Sequence, residues 1–284
     1  MADFRARPAA RRRSNADSVT RHPDPVLRIL DDPVTALLPW FAFNFLLEPL
    51  SFLGASLIAF ALSVMLVAVT RLRGQAPRAF EVSDAILFAA IVGVGLLRDP
   101  GSQSWLSIHA DTVSNVALTV VAFASVAVGW PFTAPYTQLR FANLDECLLN
   151  RLDRASTLIW AAALLFASVV AIYGEWVLDQ QTNLWTAWIL QTVPLIVAFD
   201  LTLWLDQRTL ASASGAPEAA PPPLALARDL LAWLVPIGAL SLLFGSAPPM
   251  FGWALIAIGL AGASSAWLGL RRMQSGRRAI PEAL

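Results

Sequence analysis

Long apolar blocks constrain this chain more than any other feature. They run at approximately 34–48, 50–70, 83–97, 110–130, 156–178, 184–205, 229–245 and 250–270. As a helix, a block of about 20 apolar residues spans the ~30 Å hydrocarbon core of a bilayer. Lipid offers no hydrogen-bond partner, and a helix satisfies its own backbone there. A soluble fold would have to bury all of these blocks beneath a charged shell. Only 14% of the residues are charged, against about 25% in a typical soluble domain. The expected fold is therefore all-α: a polytopic transmembrane bundle of about eight spans, with the lipid bilayer as its first partner.

Block one is the weak point. At 1.5 Å per residue it spans only ~22 Å, although Asp32 and Pro33 suit a helix start. Blocks one and two would merge into one kinked span if Glu48-Pro49 lay within the membrane. The charge distribution decides between the two readings. All 20 basic residues are arginine. With Glu48-Pro49 as an outer turn, nineteen of them fall on the cytoplasmic side and only Arg98 outside. With a merged span, eight fall inside and twelve outside. Cytoplasmic loops carry the excess of arginine, so eight spans with both termini inside are expected. Tryptophans follow the same frame. Trp105, Trp176, Trp185 and Trp253 fall near outer ends, and Trp130, Trp160, Trp204, Trp233 and Trp267 near inner ends, where half-buried indoles are favoured. Trp40 and Trp188 sit deeper, as packing residues.

The organisation reads as a disordered Arg-rich cytoplasmic tail (1–32), a six-span core (33–207), an Ala/Pro-rich linker (208–228), a two-span C-terminal hairpin (229–271) and a cytoplasmic tail (272–284). The linker reads Ala-Ser-Ala-Ser-Gly-Ala-Pro-Glu-Ala-Ala-Pro-Pro-Pro at its centre, a flexible composition. Residues 139–153 place Phe141, Leu144, Leu148 and Leu152 on one stripe, the pattern of an amphipathic helix on the inner surface. Small residues recur at Ala257, Ala261, Ser265 and Gly269, and at Ala163, Ala167 and Ala171. Such stripes let helices approach closely in lipid, within the bundle or against a second copy.

Ionisable groups inside a membrane are costly and mark site candidates. Asp200 is the clearest candidate intramembrane acid, with Arg208 or a neighbouring helix as its expected partner. Asn44, Glu48, His109, Asp111, Asn115, Glu175, Asp179 and Gln191 lie at or below outer span ends, a candidate polar vestibule. Pro194 removes a backbone donor in span six, a candidate kink beside Gln191-Thr192. Cys147 is the only cysteine, which excludes a disulfide framework and a thiolate metal site. No metal-ligand spacing, phosphate loop or nucleophile motif is present, nor a basic stripe for nucleic acid. Neither a cofactor, a metal site nor a catalytic residue is expected.

The segment Gly129-Trp130-Pro131-Phe132-Thr133-Ala134-Pro135-Tyr136 ends span four. Together with Leu38-Pro39-Trp40-Phe41 and the Arg-Leu-x-Arg-x-x-Thr-x-x-Trp stretch from Arg151 to Trp160, it resembles bacterial membrane proteins similar to the intracellular septation protein A family. The resemblance covers spans one to six. It implies a non-catalytic inner-membrane protein of the cell envelope, acting through contacts with other membrane proteins. The alternative is a small transporter or channel that uses the acidic vestibule and the kinked sixth span.

Overall fold

The computed structural model describes residues 33–47, 49–97, 105, 108–141, 144–180, 183–216 and 219–278. These residues form helices and turns, with no strand among them. Five helical stretches are long and apolar enough to cross a membrane: Phe52–Leu72, Glu146–Val177, Leu184–Ala213, Pro223–Leu243 and Pro249–Met273. A sixth, Thr112–Ala127, is apolar but shorter. Their outer surfaces are oily. Phe166, Val169, Leu243 and Met250 are all more than half exposed, which suits lipid rather than water. The chain is a multi-pass, all-helical membrane protein by this architecture.

Block one forms two short helices, α1 (Pro33–Ala36) and α2 (Leu38–Leu46). Nine residues give α2 a length of ~14 Å, and residues 33–46 together ~21 Å, short against a ~30 Å hydrocarbon core. Ser51 then caps α3 (Phe52–Leu72), its Oγ accepting from the Gly54 N–H at 3.2 Å. That cap makes residues 49–51 a turn between two separate helices. Gly74 has a positive φ of 73°, the left-handed conformation that glycine adopts freely. It turns the chain into α4 (Ala79–Leu97), which packs along α3.

α5 (Ala110–Ala127) and the short α6 (Ala134–Arg140) lead into α7 (Glu146–Ile172). At 27 residues, α7 extends ~40 Å and overshoots the hydrocarbon core. This length corrects the expected surface helix over 139–153. Residues 146–153 are the first two turns of α7, and only 134–140 form a separate short helix. The stripe at Phe141 and Leu152 is buried inside the protein. Trp160, expected at the interface, is buried as well, at 3% exposure.

α7 ends in a π-helical turn, Tyr173–Val177, and α8 (Leu190–Ala213) begins from another, Leu184–Ile189. Such turns widen a helix locally and recur at functional sites. α7 packs against both α5 and α8. Beyond the linker, α9 (Pro223–Ala232) and α10 (Leu234–Leu243) pack against α11 (Pro249–Arg278). A Cβ on Gly238 would sit 2.6 Å from the Gly252 carbonyl oxygen, and one on Gly252 would sit 2.6 Å from Leu242 Cγ. Glycine at both positions lets the two backbones touch. The seam of α11 is thus Gly252, Gly259 and Ala266, all buried. Ala257, Ala261 and Ser265 face outward and are exposed.

Candidate functional site

Two buried polar clusters stand out, one at each end of α7. The first lies where α5, α7 and α8 meet near the π turns. His109 precedes α5, and its Nδ1 lies 2.8 Å from Glu175 Oε2. The imidazole is flanked by Trp105 and Trp176, with ring centroids 4.5 and 5.7 Å away. One turn and a half further along α5, Asn115 Nδ2 donates to Gln191 Oε1 at 2.6 Å. Gln191 Nε2 in turn donates to the Thr186 carbonyl at 2.7 Å. The carboxamide beside Pro194 is therefore spent on the π turn and on a neighbouring helix. Thr119 Oγ1 and Ser168 Oγ share a hydrogen bond of 2.9 Å deeper on the same seam.

The π turns approach closely because residue 174 is glycine. A Cβ there would meet Thr186 Cβ and Oγ1 at 2.7 Å. The space left among Gly174, Glu175, Gln180, Thr186 and Gln191 is about 10 Å³, room for at most a single water. Four of the sequence-derived candidates, His109, Asn115, Glu175 and Gln191, thus form two bonded pairs, of which Glu175 and Gln191 line this small space. Asp179 is exposed in the turn between α7 and α8, with φ at 52°. Asn44 is half-buried on α2, its Oδ1 without a hydrogen-bond partner. No hydrogen bond joins Asn44 or Asp179 to the two pairs. Glu48 lies outside the described residues. Asp111 is in the first turn of α5, with its side chain outside the description.

Asp200 meets the C-terminal hairpin. Its Oδ2 accepts from Trp233 Nε1 at 3.2 Å. Of the two expected partners, the neighbouring helical segment is the one observed; the Arg208 guanidinium instead stacks on the Trp204 ring, 4.9 Å from its centroid. A cation on an aromatic face keeps its water on the other side, which suits an exposed arginine at a helix end.

The second cluster sits at the opposite end, where α3 terminates in Arg71 and Arg73. Arg78 stands immediately before α4, and Glu81 and Asp84 follow at three-residue intervals on its first turns. Arg78 and Glu81 form a salt bridge of 3.2 Å, each side chain only 3% exposed. Glu81 Oε1 also accepts from Thr70 on α3 at 3.2 Å. Asp84, 1% exposed, accepts from Trp40 Nε1 on α2 at 2.9 Å. The Arg78 guanidinium lies over the Tyr136 ring at 4.5 Å. Burial pushes the Tyr136 phenol above its ordinary value, so it stays neutral.

The Pro131-to-Thr137 segment seals this end. Phe132 stacks on Phe80 at 4.9 Å. Thr133 Oγ1 bonds the Asp153 carbonyl at 2.9 Å and shares a hydrogen bond with Thr157 at 2.7 Å. Thr137 donates to the Asp153 carboxylate. Glu81, Asp84 and Asp153 do not stand out along the sequence, because each falls at the margin of an apolar block and reads as loop-end polarity. The signal available was the three-residue spacing of Arg78, Glu81 and Asp84, which puts Glu81 and Asp84 on neighbouring turns of one helix face, with Arg78 at its start.

Among the described residues, no group of three or more His, Cys, Asp or Glu side chains could hold a metal ion. No family model matches the chain, and no curated protein or solved structure shows a significant match to it.

Proposed function

We propose that the chain is a non-catalytic inner-membrane protein of the bacterial cell envelope, with eight spans and both termini in the cytoplasm. It acts through contacts with other membrane proteins or with a second copy of itself. The observation that carries this reading is the outward face of α11. Ala257, Ala261 and Ser265 are exposed, while the opposite face is consumed by the hairpin seam. Small side chains facing lipid gain little from it, whereas against another helix they permit close backbone approach and its van der Waals gain. The outer polar groups add support. Four of them are paired with one another, and the space that Glu175 and Gln191 line is ~10 Å³, room for at most one water.

Crosslinking in native membranes tests the reading. Cysteine at Ala257 or Ala261, in a Cys147→Ser background, should trap a defined adduct, whether a partner or a dimer. Cysteine at the exposed Leu260, on a different flank of α11, should not. Free monomer at all three positions would sink the proposal.

A further inference from the structure

The cluster on α4 has an uneven charge distribution. Arg78 and Glu81 neutralise one another across 3.2 Å, and Thr70 supplies Glu81 with a further donor. Nothing comparable serves Asp84. Its Oδ1 accepts one neutral hydrogen bond, from Trp40. Its Oδ2 is buried and has no hydrogen-bond partner. The charged group that bears on it is Glu81, one turn earlier on its own helix; Arg78, just before that helix, is paired with Glu81. Arg73 at the end of α3 faces Glu81, Tyr136 on α6 is neutral, and α2 contributes only the Trp40 indole.

An ionised Asp84 would therefore place a second carboxylate one turn from Glu81, beside a guanidinium already paired. Its Oδ2 would carry charge in a dry site with no donor. A buried charge without a partner costs far more than a buried neutral group. A carboxyl in that position takes up a proton instead of remaining charged.

We propose that Asp84 is a proton-binding site, holding a proton on Oδ2 while Oδ1 remains the carbonyl oxygen that accepts from Trp40. The ligand is a proton. Asp84 lies about one turn further along α4 than Glu81, whose carboxylate meets Thr70 near the end of α3, so that end of the bundle is the nearer one. The proposal stands independently of the helix-contact reading above, because it concerns an interior group.

The test is infrared difference spectroscopy on the purified full chain in lipid nanodiscs near neutral pH. Wild type minus Asp84→Asn should show loss of one protonated-carboxyl C=O band. Trp40→Phe should shift that same band to higher frequency, because the carbonyl loses its indole donor. Asp200→Asn should leave it in place. If Asp84→Asn does not fold, the Trp40→Phe shift decides alone. An unchanged band in Asp84→Asn, an unshifted band in Trp40→Phe, or no such band in wild type would overturn the assignment.

Discussion

Replacing Gly238 by alanine puts the packing of the C-terminal hairpin to a quantitative test. The added Cβ would lie 2.6 Å from the Gly252 carbonyl oxygen, 2.8 Å from Ile256 Cγ1 and 3.0 Å from the Ile256 backbone nitrogen. Two of those three atoms belong to the backbone of α11 and cannot rotate away. The methyl must be accommodated by parting the helices. Overpacking of this kind costs ~1–3 kcal/mol, and the rigid neighbours argue for the upper part of that range. Against it stands the helical preference of alanine over glycine, ~0.8–1.0 kcal/mol. The balance is a destabilisation of about 1–2 kcal/mol. For a domain of 150–250 residues each kcal/mol moves Tm by about 2–4 °C. Gly93→Ala is the internal control. It also lies in a helix, and an added Cβ would meet nothing within 4 Å. It should gain stability by up to about 1 kcal/mol. Thermal melting of the detergent-solubilised chain, followed by circular dichroism, separates the two variants in opposite directions. If Gly238→Ala melts at or above Gly93→Ala, the backbone contact between α10 and α11 is not as tight as described.

Two further outcomes follow from the polar contacts. Trp233→Phe removes the donor to Asp200 Oδ2 and should loosen the hairpin from α8. Removing one neutral partner of a carboxylate costs ~1–3 kcal/mol, and protease cleavage within residues 211–222 should accelerate several-fold relative to wild type. Asn115→Ala and Gln191→Ala should couple in a double-mutant cycle by ~0.5–3 kcal/mol, read from melting of the single and double variants. Strict additivity would show that the 2.6 Å bond contributes nothing to stability.

How far the sequence revealed this molecule depends on the scale of the signal. Apolar blocks are local and long, so most helices are legible from them. A break between blocks one and two is expected from arginine placement, and the Ser51 cap marks one at residues 49–51. The convergence of His109 with Glu175 and of Asn115 with Gln191 was legible as shared depth. Their closure into bonded pairs was not, because it depends on Gly174 bringing two π turns together. The Ala257, Ala261 and Ser265 stripe was visible as a four-residue period. Its direction was not, because the hairpin seam follows the seven-residue step of Gly252, Gly259 and Ala266 on the other face. Asp153 shows the harder case. Its neighbours Leu148 and Leu152 fit an amphipathic pattern in which nothing singles it out. The fold instead buries it against Thr133 and Thr137, sixteen and more residues away. No local period encodes such a contact.

α7 relates the two polar clusters to one another. Asp153 and Glu175 lie on it 22 residues apart, ~33 Å along a continuous helix. Between them the buried face carries Trp160, Ala161, Ala163, Leu164 and Ala167, joined by Leu118 and Ala122 from α5. Ser168 belongs to the first cluster and Thr157 to the second, so about ten residues of apolar seam divide them. At ~1.5 Å per residue that layer is ~16 Å thick. Hydrogen bonds reach ~3 Å, and close-packed apolar side chains exclude the waters that would bridge a longer gap. A proton held at Asp84 therefore has no hydrogen-bonded route along α7 to His109 and Glu175. That gap argues against conduction across the bundle along this seam.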